Sequence, residues 1–356
     1  MKKAFLIVSV LLILSLLVAC APKATEAPQA TEAAPTQKTF RVVLIGNQRF
    51  GDLGTMDAFA KGLDRCSSEL GIETKKLEST ESGRFEEDIR AMAKEGYDMI
   101  ITTFPAMTDA TVTVAKEFPK TTFYAIYQFA NAGDTKIPNV WSTEFRSFEN
   151  NYVLGAFQGK LSTSKKLGYV FGGEEPSINS DVNGYVEGVK ATCPECKVEV
   201  ASANSWEDPA VGKEIALAMI SHGVDVIQTE AAKTQLGVIE AAKEGGVYFF
   251  GDNGDNYTLY PDGFVTYVNA SFENSVVNGC KALVEGKIPE GQHTYQNISN
   301  QGVFIPWEAV DRFIADHPDK AATVKAAADF AKDIQAKIIS GEIKPTYNEA
   351  SPVGIK

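Results

Sequence analysis

The sequence predicts an α/β protein of two similar lobes, each a doubly wound parallel sheet flanked by helices. Three observations carry that prediction. β-rich apolar runs alternate with helical periodicity from Phe40 onward, which is the pattern of a parallel sheet. The alternation repeats in two stretches of similar length. The chain beyond residue 39 is long enough to bury two separate cores.

In the first stretch, Phe40–Ile45 reads as a strand and Asp57–Leu70 as a helix with Phe59, Leu63 and Leu70 on one face, ended by Gly71. Ile72–Leu77 is the next strand, and Phe85–Glu95 a helix closed by Gly96. A strand at Met99–Thr103 and a helix at Ala110–Glu117 follow, then strands at Thr122–Tyr127 and Val140–Thr143. The second stretch starts with a helix at Glu149–Leu161 and a strand at Lys166–Phe171 that runs into Gly172-Gly173. Helices are expected at Val182–Ala191, Val211–Ser221, Gln235–Glu244, Phe272–Glu285 and Ala321–Ser340. Strands are expected at Lys197–Ala201, Val224–Thr229, Val247–Gly251 and Phe264–Val268.

The N-terminus has a different character. Lys2 and Lys3 precede an apolar run, Ala4 to Val18, which ends in Leu17-Val18-Ala19-Cys20. This reads as a lipoprotein export signal over residues 1–19, with Cys20 as the lipidated residue. It is too short for a confident membrane span. Residues 20–39 then form a lipid anchor and a Pro/Ala/Thr-rich linker with too little apolar surface to fold. The expected location is the extracytoplasmic face of the cell membrane.

A net charge of −12 does not suit nucleic acid. Cys193-Pro-Glu-Cys196 has CxxC spacing but no second pair and no nearby histidine, which argues against zinc. Its placement before a strand leaves a loop disulfide or two inert thiols. His222, His293 and His317 fall in expected loops or helix ends and read as surface residues. No nucleophile elbow, Walker loop, HExxH or dinucleotide fingerprint occurs, so the sequence offers no catalytic residue, cofactor or metal site.

The strand ends carry rings beside carboxylates and amides. Asn47, Phe50 and Asp52 follow the first strand, Phe104 the third and Tyr127 the fourth. In the second half the corresponding residues are Trp206 with Asp208, Glu230, and Asp252 with Asn253. Ligands of open α/β sheets bind at the carboxyl ends of strands. Rings with polar groups around them suit a small polar ligand with a planar part. Asp208, before Pro209 and a helix, also has the position of an N-cap.

Several segments resemble the basic membrane protein family of lipoproteins, the substrate-binding components of ABC importers for purine nucleosides or bases. They are Asn139-Val140, Phe145 to Gly155, Gly159-Lys160, Gly168 to Gly173, Pro176, Gly184-Tyr185, Gly188, Ser205 to Pro209, Gly212-Lys213, Gly223 to Asp225 and Gly251-Asp252. The resemblance spans the folded body. It implies the two-lobed type I periplasmic-binding-protein fold, with residues 40–143 plus 263–290 in lobe 1 and 144–262 plus 291–345 in lobe 2. Chain crossings would lie near Thr143, Asp262 and residue 290. It also implies a Cys66–Cys280 disulfide between the first helix and the returning last one.

By the same resemblance, Asp52 is the acidic residue after strand one and Phe104 an aromatic covering the base. Trp206 and Asp208 form the cleft-side turn of the second lobe, and Asp252 faces ribose or base. The chain departs from its relatives at Gly54, Thr55 and Met56, where many have Ser-Phe-Asn, and at Asn269 or Ala270, where many have lysine. The expected function is capture of a small, nucleoside-like solute by lobe closure, with an ABC permease as partner. The alternatives are a sensory ligand-binding lipoprotein, an extracellular nucleoside hydrolase and a surface adhesin.

Overall fold

A computed structural model of the protein describes residues 38–134 and 136–354. The expected signal, Cys20 and nearly all of the linker lie outside the described residues. Among those described, no helix is long and apolar enough to cross a membrane.

The body holds two six-stranded sheets. The first contains β1 (Arg41–Gly46), β2 (Glu73–Glu78), β3 (Met99–Thr103), β4 (Thr122–Ile126), β5 (Val140–Phe145) and β11 (His293–Gln296), in the order β11-β5-β4-β3-β1-β2. The second contains β6 (Lys166–Phe171), β7 (Lys197–Ser202), β8 (Val226–Glu230), β9 (Tyr248–Asp252), β10 (Phe264–Ala270) and β12 (Val303–Phe304), in the order β12-β10-β9-β8-β6-β7. All pairs are parallel except β10 with β12. The strand order reverses at β1/β3 in one lobe and β6/β8 in the other, and each reversal opens a crevice at the strand ends.

Helices α1 (Thr55–Leu70), α2 (Phe85–Lys94), α3 (Thr108–Glu117) and α8 (Phe272–Val284) cover the first sheet. Helices α4 (Ser147–Leu161), α5 (Pro176–Thr192), α6 (Pro209–Ser221), α7 (Gln235–Gly245), α9 (Trp307–Asp316) and α10 (Ala321–Ser340) belong to the second lobe. The central strands are buried end to end, which explains their continuous apolar runs. Helices α4 and α5 cross at backbone contact. A Cβ on Gly155 would stand 2.2 Å from the Tyr185 carbonyl oxygen, and one on Gly188 2.1 Å from that of Tyr152.

Three chain crossings join the lobes side by side. They fall between β5 and α4, between β10 and α8, and between β11 and β12. The Arg146 N–H donates to the Gln296 carbonyl at 2.8 Å, and the Ser271 N–H to that of Gly302 at 2.8 Å. Two expected boundaries are therefore displaced. β10 pairs with β9 in the second sheet, so the crossing is at Ser271 rather than Asp262. β11 pairs with β5 in the first sheet, which moves the last crossing beyond residue 290. β11 is short and polar and β12 only two residues long, so neither carries much strand signal.

Cys66 on α1 and Cys280 on α8 form a disulfide with Cα atoms 6.0 Å apart. Cys193 and Cys196 form a second one, in the turn between α5 and β7, which decides between the two readings of that pair. His293 is not the surface residue expected. Its side chain is buried in β11, within hydrogen-bond reach of Ser142 Oγ at 2.8 Å and near Glu144 at 3.4 Å.

Candidate functional site

The carboxyl ends of the two sheets face one narrow cleft with about 600 Å³ of empty space, part of it continuous with solvent. Lobe 1 lines it with Asn47, Gln48, Thr55, Phe104, Tyr127 and Phe272. Lobe 2 supplies Ser147, Asn150, Glu175, Ile178, Trp206, Glu230, Ala232, Asp252, Asn253, Val268 and Ala270. The lobes meet across it. The Tyr127 hydroxyl donates to Asp181 Oδ2 at 3.2 Å, Asn256 Nδ2 to the Leu53 carbonyl at 3.3 Å, and the Arg49 N–H to Glu207 Oε1 at 3.2 Å.

Seven of the nine ligand residues expected from sequence line this cleft: Asn47, Phe104, Tyr127, Trp206, Glu230, Asp252 and Asn253. Phe50 and Asp52 do not. The Phe50 ring packs against the core of its lobe, and its N–H donates to Glu78. The Asp52 carboxylate turns away to cap α1. It accepts from the N–H groups of Gly54 at 2.9 Å, Met56 at 2.9 Å and Asp57 at 3.1 Å. Those donors open the helix and would otherwise be unpaired, so the carboxylate has a structural use. Asp208 likewise caps α6, through Ala210 and Val211, and does not line the cleft.

The aromatic residues form one wall. Phe104 lies 5.8 Å from Phe59, 5.9 Å from Tyr127 and 6.1 Å from Phe272, centroid to centroid. Trp206 faces them from the loop after β7. Its ring occupies the space left by Gly172, where a Cβ would stand 2.2 Å from Trp206 Cε3. Its carbonyl accepts from the Thr234 N–H at 3.2 Å.

Backbone strain concentrates here. Phe104, Tyr127, Ala232 and Asn253 all have positive φ, between 43° and 65°. Three of them stand directly after a strand, and all four line the cleft. Such residues cost on the order of 1–3 kcal/mol each and persist where the surroundings fix them. Asn253 shows how. Its N–H donates to Val268 at 2.8 Å, its Oδ1 accepts from the Ala270 N–H at 2.7 Å, and its Nδ2 donates to Asp252 Oδ1 at 2.6 Å. Both ends of its amide are thus occupied in orienting Asp252.

Carboxylates form the other wall. Tyr169 donates to Glu230 Oε2 at 2.9 Å and to Asn151 at 3.2 Å. Behind them the Tyr185 hydroxyl donates to Gln158, which donates to Gln228. Burial pushes the Glu230 carboxyl up to about 7. Asp181 and Asp252 are also raised well above the usual carboxylate range, by burial first and then by the charge of Glu230. Burial raises Glu175 as well.

Sequence reasoning missed Ser147, Asn150, Glu175, Ile178 and Phe272. Each lies on the first turn of a helix or just before it, at Ser147 and Phe272 beside a crossing, and helix starts resemble ordinary caps in sequence. Among the described residues no group of His, Cys, Asp and Glu is arranged to hold a metal ion.

Two parallel sheets facing one cleft across three adjacent crossings define a two-lobed solute-binding protein. Residues 40–349 match the family described as ABC transporter substrate-binding protein PnrA-like, and the chain belongs to that family. It is 27% identical over 316 residues to a purine-binding protein of Brucella abortus, covering 88% of this chain and 85% of that one. It is 28% identical to the ABC transporter nucleoside-binding protein BmpA of Lactococcus lactis, over 69% of this chain and 74% of that one. In structure it is similar to a solute-binding protein of an ABC transporter system from Aeropyrum pernix, with TM-score 0.78, 22% identity and coverage of 86% and 92%.

Proposed function

We propose that this substrate-binding protein captures a purine nucleoside or nucleobase by closing its lobes, and delivers it to an ABC permease. The observation that carries the reading is the pairing of a ring-lined wall on lobe 1 with Trp206 and a carboxylate wall on lobe 2. A planar base fits between the rings, and Asp252 and Glu230 accept hydrogen bonds from its edge or from hydroxyls. The names of the relatives from Brucella and Lactococcus support the ligand class. Lobe closure follows from the cleft itself, because a ligand touching both faces favours the state in which both are near.

The protein would act without catalysis, held at the extracytoplasmic face by lipid on Cys20. Native mass spectrometry of the purified chain, followed by denaturation, would identify a carried ligand. Calorimetry with adenosine, guanosine, inosine and adenine would rank them. Failure of all four to bind, with none released on denaturation, would overturn the ligand reading. Cys20→Ser should move the protein from the membrane fraction to the soluble one.

A further inference from the structure

Lobe 2 contributes every charged side chain that lines the cleft, and all three are carboxylates: Glu175, Glu230 and Asp252. Asp181 stands directly behind, joined to Tyr127. Among the described residues, no lysine, arginine or histidine is in the lining. Arg49 and Lys233 line an adjoining hollow with Glu207, which shares Asn47, Gln48 and Trp206 with the cleft. The donors within the lining are neutral, on Asn47, Gln48, Trp206, Thr55 and Ser147. The N-terminus of α1, which would favour an anion, is already filled by Asp52.

One group shows what is missing. Asn150 is 1% exposed and lines the cleft. Its Nδ2 donates to the Phe304 carbonyl at 3.4 Å, which fixes the amide orientation. Its Oδ1 then has no partner. An unmatched buried acceptor costs about 1–3 kcal/mol. Protons can neutralise the neighbouring carboxylates, but a proton held on a carboxylate leaves the demand of Asn150 Oδ1 unmet. A donor on the ligand would meet it.

We propose that the cleft selects a planar ring carrying positive charge or an amino donor edge, and discriminates against oxo-substituted and anionic rings. This rests on the reading of the cleft as a ligand site and narrows the nucleoside class. The ring lies against Phe104, Tyr127 and Trp206, whose π faces favour a cation. The amino or cationic edge faces Glu230, Asp252 and Asn150. An anionic ring would place its charge beside buried carboxylates with no counter-charge, which is costly in a low-dielectric site.

The test is calorimetry on the full chain at about pH 8 with matched probes. The nucleoside series is adenosine, whose ring carries an amino group and no oxo group, inosine and xanthosine; the non-purine pair is 1-methylnicotinamide and nicotinamide. We expect adenosine to bind at least tenfold tighter than inosine, xanthosine at least tenfold weaker again, and 1-methylnicotinamide at least tenfold tighter than nicotinamide. Glu230→Gln and Asp252→Asn should each shrink the cationic preference about tenfold. Asn150→Asp, which keeps the shape and adds charge, should enlarge it. Inosine or xanthosine binding as tightly as adenosine would overturn the inference and leave the nucleoside reading standing. Binding of 1-methylnicotinamide but not nicotinamide, with no nucleoside bound, would uphold the inference and remove the purine. Binding of none of these probes would overturn the inference, and failure of guanosine and adenine as well would overturn the nucleoside reading.

Discussion

The two walls of the cleft solve opposite problems. Lobe 1 presents Phe104, Tyr127 and Phe272, rings that continue into the Phe59 and Phe145 core and bring no charge. Lobe 2 presents Glu175, Glu230 and Asp252; Tyr169 donates to Glu230 and Asn253 to Asp252, and a separate Tyr185–Gln158–Gln228 chain lies behind. A rigid apolar face offers a plane to any flat molecule. A buried acidic face distinguishes among those molecules by what their edges donate. On the proposed reading, the lobe 1 rings with Trp206 would supply affinity for a ring, and the lobe 2 carboxylates the choice of ring.

The largest effect should come from placing a cation in lobe 2. Ala270→Lys puts an ammonium in the lining beside Asp252 and Glu230. It should weaken an amino or cationic ring by about 100-fold, roughly 3 kcal/mol, and narrow the gap to inosine. Unchanged calorimetric affinities would break the comparison.

Removing a ring should cost less and treat all rings alike. Trp206→Ala or Phe104→Ala should weaken every planar ligand at least tenfold, about 1.4 kcal/mol, with the ranking among them unchanged. A reordered ranking would mean that the rings also select.

Asp52→Ala addresses the residue that leaves the cleft to cap α1. It should lower stability by about 1 kcal/mol, seen as a lower Tm of the ligand-free protein, with the ligand ranking preserved. A change in ranking with an unchanged Tm would return Asp52 to the site.

The smallest effect is on the pH dependence of ligand-free stability. Burial raises Glu230 to about 7, from an ordinary value near 4.5, and raises Asp181 and Asp252 in the same direction. In that interval the folded state holds protons that the unfolded chain releases. Stability is therefore greater below the ordinary carboxylate range and is lost as pH rises through 7. The Tm should climb modestly between about pH 8 and pH 5. Glu230→Gln should flatten the climb, with Glu175, Asp181, Asp252, Tyr127 and Tyr169 as the other titratable groups facing that cluster. A Tm that is flat in the parent protein would contradict the burial of the acidic wall.

The sheet strands were legible because buried parallel strands must be apolar throughout, as Val42–Ile45 and Met99–Ile101 are. Residues at the strand ends were legible because the carboxyl ends of parallel strands mark the cleft: Phe104 follows β3, and Glu230 and Asp252 close β8 and β9. The pieces near the crossings were not. His293–Gln296 and Val303–Phe304 are strands because of their partners, β5 and β10, rather than their composition. Asn150 and Phe272 reach the cleft because a helix begins beside a crossing, a matter of three-dimensional placement. Asp52 has the composition of a ligand residue and the position of a cap, and the three unpaired N–H groups of α1 decide between them.

The Cys66–Cys280 bond has a consequence for how the protein comes into being. It joins residues 214 positions apart in sequence. Lobe 1 also takes its edge strand, His293–Gln296, from beyond β6 to β10 of lobe 2. A chain emerging from its N-terminus can hydrogen-bond β6 through β10 together before α8 and β11 have arrived to complete the first lobe. The ring-bearing wall is thus completed only after most strands of the second sheet exist, and the bond fastens it only once most of the polypeptide is present.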